Sequence, residues 1–127
     1  MKDLMFDTSI WIDFFKGEQT DEVILLTDFL ENNLPVYTCP TIIQEVLQGI
    51  INETQYLKVK EDLLSLEIII ADPVDAAIGA ADIYRGLRKK GITIRKSNDC
   101  LIAYYARIAG VDIVHHDRDF DLILENS

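Results

Sequence analysis

Strand-length apolar runs alternate with helix-period segments along this 127-residue chain, which predicts an α/β fold built on a parallel sheet. Two further observations point the same way. Breakers and helix-opening residues (Gly17, Pro40, Gly91, Gly110) fall between the runs, where connections belong. Acidic residues stand at the ends of strand-like runs or near helix starts, the positions that a parallel sheet gathers into one crevice beyond its carboxyl ends. The crossovers of such a sheet are right-handed.

The elements follow in order. Residues 2–7 read as a short buried strand and residues 8–16 as a helical turn rich in large apolar side chains, broken by Gly17. Val23, Ile24, Leu25, Leu26, Phe29 and Leu30 suit a helix over residues 21–32 packed on two sides. Residues 35–38 form the second strand, and Pro40 with Thr41 opens the helix that carries Glu45. Residues 52–65 read as a helix with Leu57, Leu63 and Leu64 apolar. Residues 67–71, with three consecutive isoleucines, carry the strongest strand signal. A helical pattern returns over residues 73–90 and stops at Gly91, and residues 92–94 read as a minor extended piece. Ser97 is a natural cap for a helix ending at Gly110, with Leu101, Tyr105 and Ile108 marking its buried face. Residues 111–115 are a strand and residues 120–124 a last turn. There is no repeat, low-complexity tract or linker.

Length and composition (49% apolar, 27% charged) predict one soluble domain over residues 1–127 with a single core. The apolar runs are too short to span a bilayer, so no membrane partner is expected. No basic-then-apolar segment opens the sequence, and Cys39 and Cys100 lack metal-type spacing. They read as free buried thiols, and the chain as cytoplasmic. A net charge of −10 argues against non-specific binding to a polyanion. Yet Arg85, Arg88, Lys89, Lys90, Arg95 and Lys96 are six of the 12 basic residues, and no acid interrupts positions 83–98. That block is either a phosphate-binding surface or a basic helix end set at the dipole's negative pole.

Four acids carry the chemical argument. Asp7 ends the first strand, where an aspartate is either functional or a helix N-cap. A haloacid-type phosphatase would use it as a nucleophile, but would need a second aspartate where Ser9 stands. Asp99 falls in the first turn of its helix, where the dipole favours an anion or a phosphate held nearby. Glu45 lies away from the apolar stripe of Ile42, Ile43, Val46, Leu47 and Ile50, so periodicity makes it solvent-exposed unless that side of the helix faces the strand ends. Asp117 follows the last strand, with Asp119 and Asp121 close behind, as a functional cluster or an acidic turn. If the segment stays extended, Asp117 and Asp119 share a side. His115 and His116 are adjacent on a strand and point to opposite faces, which disfavours a paired-histidine ribonuclease. A receiver-type phosphoacceptor would need a late lysine, and none follows position 96. Carboxylates drawn together repel unless a cation sits among them, and hard Mg²⁺ or Mn²⁺ suits oxygen ligands.

Four stretches, taken together, carry a family resemblance. They are Asp7-Thr8-Ser9-Ile10-Trp11-Ile12-Asp13, Cys39-Pro40 followed by Gln44-Glu45-Val46-Leu47-Gln48-Gly49, Ile94-Arg95-Lys96-Ser97-Asn98-Asp99-Cys100-Leu101-Ile102-Ala103, and His115-His116-Asp117-Arg118-Asp119-Phe120-Asp121. Each is weak alone; in this order within one small chain they resemble the PIN-domain proteins, and more narrowly the VapC toxin ribonucleases of bacterial toxin–antitoxin pairs. The resemblance spans nearly the whole chain. It implies a three-layer α/β/α sandwich with a central parallel sheet, and Mg²⁺- or Mn²⁺-dependent cleavage of RNA by an activated water. It assigns Asp7, Glu45, Asp99 and Asp117 to the acidic set, Asp119 to an accessory acid at the metal, and Thr8 or Ser9 to a hydroxyl beside it. His115 stands where many relatives carry Thr or Ser. The basic block, Arg85 to Lys96, would then offset repulsion between this acidic chain and RNA.

The resemblance also implies a small antitoxin as partner, and a homodimer. Ile10, Trp11, Phe14 and Phe15 with residues 23–30 would form either a groove for an amphipathic helix or plain core. Two other functions stay open: a PIN-type fold that binds metal or partners without cutting, and a DNA-directed nuclease.

Overall fold

The computed structural model describes residues 3–127, so the part of the first predicted strand at Lys2 lies outside it. Strands β1 (Leu4–Phe6), β2 (Val36–Thr38), β3 (Glu67–Ile68) and β4 (Asp112–Val114) form one parallel sheet in the order β3-β2-β1-β4. Among the described residues seven helices flank it: α1 (Thr8–Lys16), α2 (Asp21–Glu31), α3 (Pro40–Gln48), α4 (Glu53–Leu64), α5 (Pro73–Lys89), α6 (Ser97–Ala109) and α7 (Arg118–Asn126). The chain builds from β1 outward through β2 to β3, then returns to the other side of β1 with β4. That reversal is the switch point at which open α/β sheets place their sites. Asp7 and Asp117 follow the two strands that meet there.

Local chemistry explains several helix boundaries. The Thr20 hydroxyl accepts the Val23 N–H (3.1 Å) and the Asn52 side chain accepts the Gln55 N–H (2.8 Å), opening α2 and α4. Asp72 accepts the N–H groups of Val74 and Asp75 at 2.9 and 3.0 Å, with Pro73 at the first helical position of α5. Gly17 and Gly110 close α1 and α6 in the left-handed conformation, at φ 79° and 68°. The core is filled by Met5, Phe6, Ile10, Trp11, Leu26, Ile42, Ile102, Phe120 and Ile123. Both cysteines are free and buried, and burial pushes the Cys39 thiol up to about 11.

Several expectations need correction. The isoleucine run pairs over Glu67–Ile68 alone, with one further bond from Ile69 N–H to the Thr38 carbonyl (2.8 Å). It lies at the sheet edge with a single neighbour, and Ile70 is already 74% exposed where the chain turns toward Asp72. Residues 92–94 are not a strand, and the last turn is a full helix, α7. Lys96, not Ser97, holds the cap position of α6, whose buried face runs through Cys100, Ile102, Ala103, Tyr105 and Ala106 rather than Ile108. Ile10 and Trp11 belong to the core, with Trp11 stacked on Phe15 (centroids 5.9 Å apart), so they line no groove.

Candidate active site

The crevice beyond β1 and β4 is a cleft of about 550 Å³ walled by Asp7, Glu45, Asp99 and Asp117. Each acid arrives on a different element. Asp7 sits where β1 becomes α1, and its N–H extends the ladder to the Val114 carbonyl at 3.0 Å. Its carbonyl accepts from Ile10 and Trp11, so the backbone occupies the cap position, but its side chain makes no cap bond. The carboxylate instead accepts the Ser9 hydroxyl at 2.8 Å, and it is buried. Capping therefore does not account for Asp7.

Asp99 enters from the first turn of α6 with only 4% of its surface exposed, and its Oδ2 is buried without a hydrogen-bond partner. An unpaired buried carboxylate oxygen is costly, and native structures retain one only for a reason. Burial first, then the charge of Asp7, pushes the Asp99 carboxyl up to about 7; Asp117 and Glu45 add to the rise and Lys96 opposes it. Asp7 is raised as well, mainly by burial, against the lowering effect of the Ser9 hydroxyl and the nearby amides of Thr8 and Ser9.

Glu45 overturns the expectation from periodicity. It is half-buried at the cleft wall, with Oε1 accepting the Thr8 hydroxyl (2.6 Å) and Oε2 facing the Asn98 amide (3.4 Å). The α3 stripe correctly marks the core side, and the opposite side faces the strand ends. Thr8 and Ser9 thus each hold a carboxylate in place.

Asp117 caps α7 by accepting the Asp119 N–H at 2.9 Å, and it meets Arg95 Nη2 at 3.7 Å and Lys96 Nζ at 4.0 Å. Asp119 does not share its side, because the segment turns helical instead of staying extended. Asp119 is buried against the loop before α6, where it accepts the Arg95 N–H (3.2 Å) and Nε–H (3.4 Å). In this geometry Asp119 fixes Arg95 and does not wall the cleft. His115 is also turned aside: its Nδ1 accepts the Asp117 N–H (3.2 Å), its Nε2 faces Asp121 (3.5 Å), and its ring packs on Phe120. His116 lines the cleft instead, 3.3 Å from Asp13. The two histidines take separate partners, but both lie past the end of β4 at Val114 and not on the strand. Sequence reasoning assigned no role to His116 or Asn98, and no local pattern distinguishes them from surface polar residues.

The basic block is divided. Arg95 and Lys96 stand in the cleft, Arg85 lines a neighbouring cleft, Arg88 lies over the Tyr84 ring at 6.0 Å, and Lys89 is exposed at the end of α5. Lys90 faces the far end of α6, near Arg107.

The carboxylate site fits a hydrated divalent cation. Among the described residues no three carboxylates, histidines or cysteines close tightly enough to enclose an ion by themselves. Mg²⁺ does not need such a cage, since it keeps several waters and takes one or two carboxylates. The unpaired Asp99 oxygen and the raised Asp7 and Asp99 carboxyls are what a cation would satisfy.

Comparison with known proteins agrees with this architecture. A family model for the PIN domain matches residues 4–124. A VapC ribonuclease of Mycobacterium bovis and ribonuclease VapC11 of Mycobacterium tuberculosis are each 32% identical to the chain over 121 residues, covering 94% of it and 90% of the relative. Among solved structures, VapBC-1 from nontypeable Haemophilus influenzae superposes with a TM-score of 0.72 at 18% identity, covering 96% of this chain and 92% of that one. VapBC2 from Rickettsia felis, bound to a DNA fragment from its promoter, gives 0.68 at 23% identity, over 90% and 86%. The chain belongs to the PIN domain family, and within it to the VapC ribonucleases. Among the described residues no helix is long and apolar enough to cross a membrane.

Proposed function

We propose that this protein is the toxin of a VapBC-type pair, an endoribonuclease that hydrolyses RNA with Mg²⁺ or Mn²⁺ and is held in check by a small antitoxin. The observation that carries the reading is the buried, unpartnered Asp99 oxygen in a cleft shared with Asp7, Glu45 and Asp117. Asp7 and Asp99 would hold the cation, and Glu45 and Asp117 complete the negative wall. When bound, the cation lowers the pKa of a water and offsets charge on the phosphate. Thr8 keeps Glu45 fixed, Ser9 keeps Asp7 fixed, and Arg95 and Lys96 draw the phosphate in at the cleft mouth.

Attack by water does not need the ribose 2′-hydroxyl, so the expected ends are 5′-phosphate and 3′-hydroxyl. Incubation with total RNA, with and without EDTA, followed by end mapping tests this. Cyclic phosphate ends, or full activity in excess EDTA, would overturn it. Loop-bearing structured RNAs are the expected targets, because sequence-specific recognition reads unpaired bases.

The divided basic block makes a second prediction. Arg95→Gln with Lys96→Gln should weaken RNA binding and make its logarithmic salt dependence shallower, by about 0.7 for each phosphate of a single strand that the variant no longer neutralises. Arg88→Gln with Lys89→Gln should change both far less, since neither residue stands in the cleft. A salt series with both double variants decides the matter.

For the antitoxin, an apolar groove between α1 and the loop after α3 offers Ile12, Phe15, Val46, Ile50 and the fully exposed Ile51. This suits the apolar face of an amphipathic helix. Ile70, Val74 and Ile78 leave a second apolar strip near the start of α5, which we assign to a second copy of the chain.

A further inference from the structure

We infer that the cleft between α5 and α6, beside the carboxylates, is a pocket for one unpaired nucleobase of the RNA next to the cut. The identity of its ligand rests on the ribonuclease reading above. The cleft holds about 510 Å³, within the range of small-molecule sites. Its apolar lining is Ala77, Ala80 and Ala81, which stand on one side of α5 at helical spacing and present only methyl groups, together with buried Ile94 and half-buried Leu101. Tyr84 forms one edge. An apolar lining with an aromatic ring beside it is a surface on which a base can stack.

The rim is cationic. Arg85 lies 3.9 Å from Asp82 with both side chains about two-thirds exposed (65% and 67%), a weak pair that leaves the guanidinium free to meet phosphate. Arg95 lines this cleft and the carboxylate cleft alike, held at the junction by buried Asp119. Asn98 lines it too, and hands its amide to Glu45 across the divide. A strand with one phosphate at the carboxylates therefore finds its next base over the alanines and its next phosphate near Arg85. On a chain of net charge −10, two guanidinium groups beside an apolar lining select a ligand with flat faces and anionic ends. Single-stranded RNA has both, and an apolar peptide would have no use for the arginines.

The test uses an RNA oligonucleotide spanning a mapped cut, made abasic at each position in turn. One abasic position beside the cut should raise KM about tenfold in the wild type, the size expected for losing one stacked base, with kcat largely kept. Ala81→Leu, which crowds that lining, should raise KM on the intact oligonucleotide to the same extent and be insensitive to that abasic position. Arg85→Gln serves as an independent variant, and should raise KM and flatten its salt dependence. A flat abasic scan, or losses that add in Ala81→Leu, would overturn the pocket. So would an Ala81→Leu protein that only changes its oligomeric state on a sizing column.

If the wild type cuts no RNA, the ribonuclease reading fails separately. The pocket is then judged by 2-aminopurine placed along single-stranded RNA. Quenching at one position that vanishes in Ala81→Leu supports it, and uniform emission at every position overturns it.

Discussion

Asp99→Asn is expected to take RNA cleavage down by at least about 100- to 1,000-fold, as losing several kcal/mol of cation-derived stabilisation implies, and yet to leave the metal-free fold no less stable. The two effects share a cause. Asp99 is held buried among Asp7, Asp117 and Glu45, with one oxygen unpaired. Its carboxyl is raised from 3.8 to about 7, so between these values the native state binds a proton that the unfolded state has released. The contribution of Asp99 to the stability of the metal-free protein therefore falls as pH rises from about 4 to 7, and is undiminished below that window. A shift of this size corresponds to about 4 kcal/mol. Water entering the open cleft reduces that to something on the order of 2 kcal/mol.

An asparagine side chain carries no charge, so the Asp99→Asn variant should lose this slope and match or exceed the wild-type Tm at pH 8. On the proposed function, Mg²⁺ or Mn²⁺ is a ligand of the native state and should raise the wild-type Tm more than that of the variant. Thermal melts at pH 5 and pH 8, each with and without metal, separate the claims. Equal metal-induced shifts in the two proteins would mean that Asp99 is not a ligand. A variant that keeps the wild-type pH slope would place the perturbed carboxyl elsewhere.

How much of this site is legible in the sequence depends on what holds each residue in place. Asp7 is legible because a strand end is fixed by the backbone ladder, and the ladder follows from apolar runs; Asp117 lies past β4 and is placed by its capping of α7. Asp99 is legible because a helix start is a local event, even though the cap falls one residue earlier than the sequence suggests. Glu45 is legible only through the resemblance, since its position depends on which way α3 faces, and a helical wheel identifies the core side without saying what lies opposite. Asp119 departs from expectation because the strand ends at Val114 and α7 begins at Arg118, so side-chain alternation does not reach Asp117 and Asp119. The isoleucine run misleads because β propensity reflects burial between neighbours, and the sheet edge supplies one neighbour. The division of the basic block cannot be read at all. It requires the α5–α6 packing, which local pattern does not encode.

That packing supplies the other large effect. Gly79→Ala is expected to destabilise the protein although alanine is the better helix former. At an open position in a helix the exchange gains up to about 1 kcal/mol. At Gly79 an added methyl carbon would lie 2.2 Å from Tyr104 Cδ1 and 2.3 Å from Cε1, well inside contact distance. Either the half-buried Tyr104 ring swings out, or α5 lifts from α6. Overpacking of this kind costs about 1–3 kcal/mol, which exceeds the propensity gain, and Gly79→Leu should cost more.

Two controls isolate the cause. Gly86 lies on the same helix with nothing within 4 Å of its added carbon, so Gly86→Ala should raise the Tm. In a Tyr104→Ala background the obstruction is gone, and Gly79→Ala should turn neutral or stabilising, a reversal that a double-mutant cycle reads directly. If Gly79→Ala raises the Tm of the wild-type chain, α5 is not seated on Tyr104. The alanine lining beside Arg95 would then have no fixed place relative to the carboxylates, because Ala77, Ala80 and Ala81 flank Gly79 on that helix and move with it.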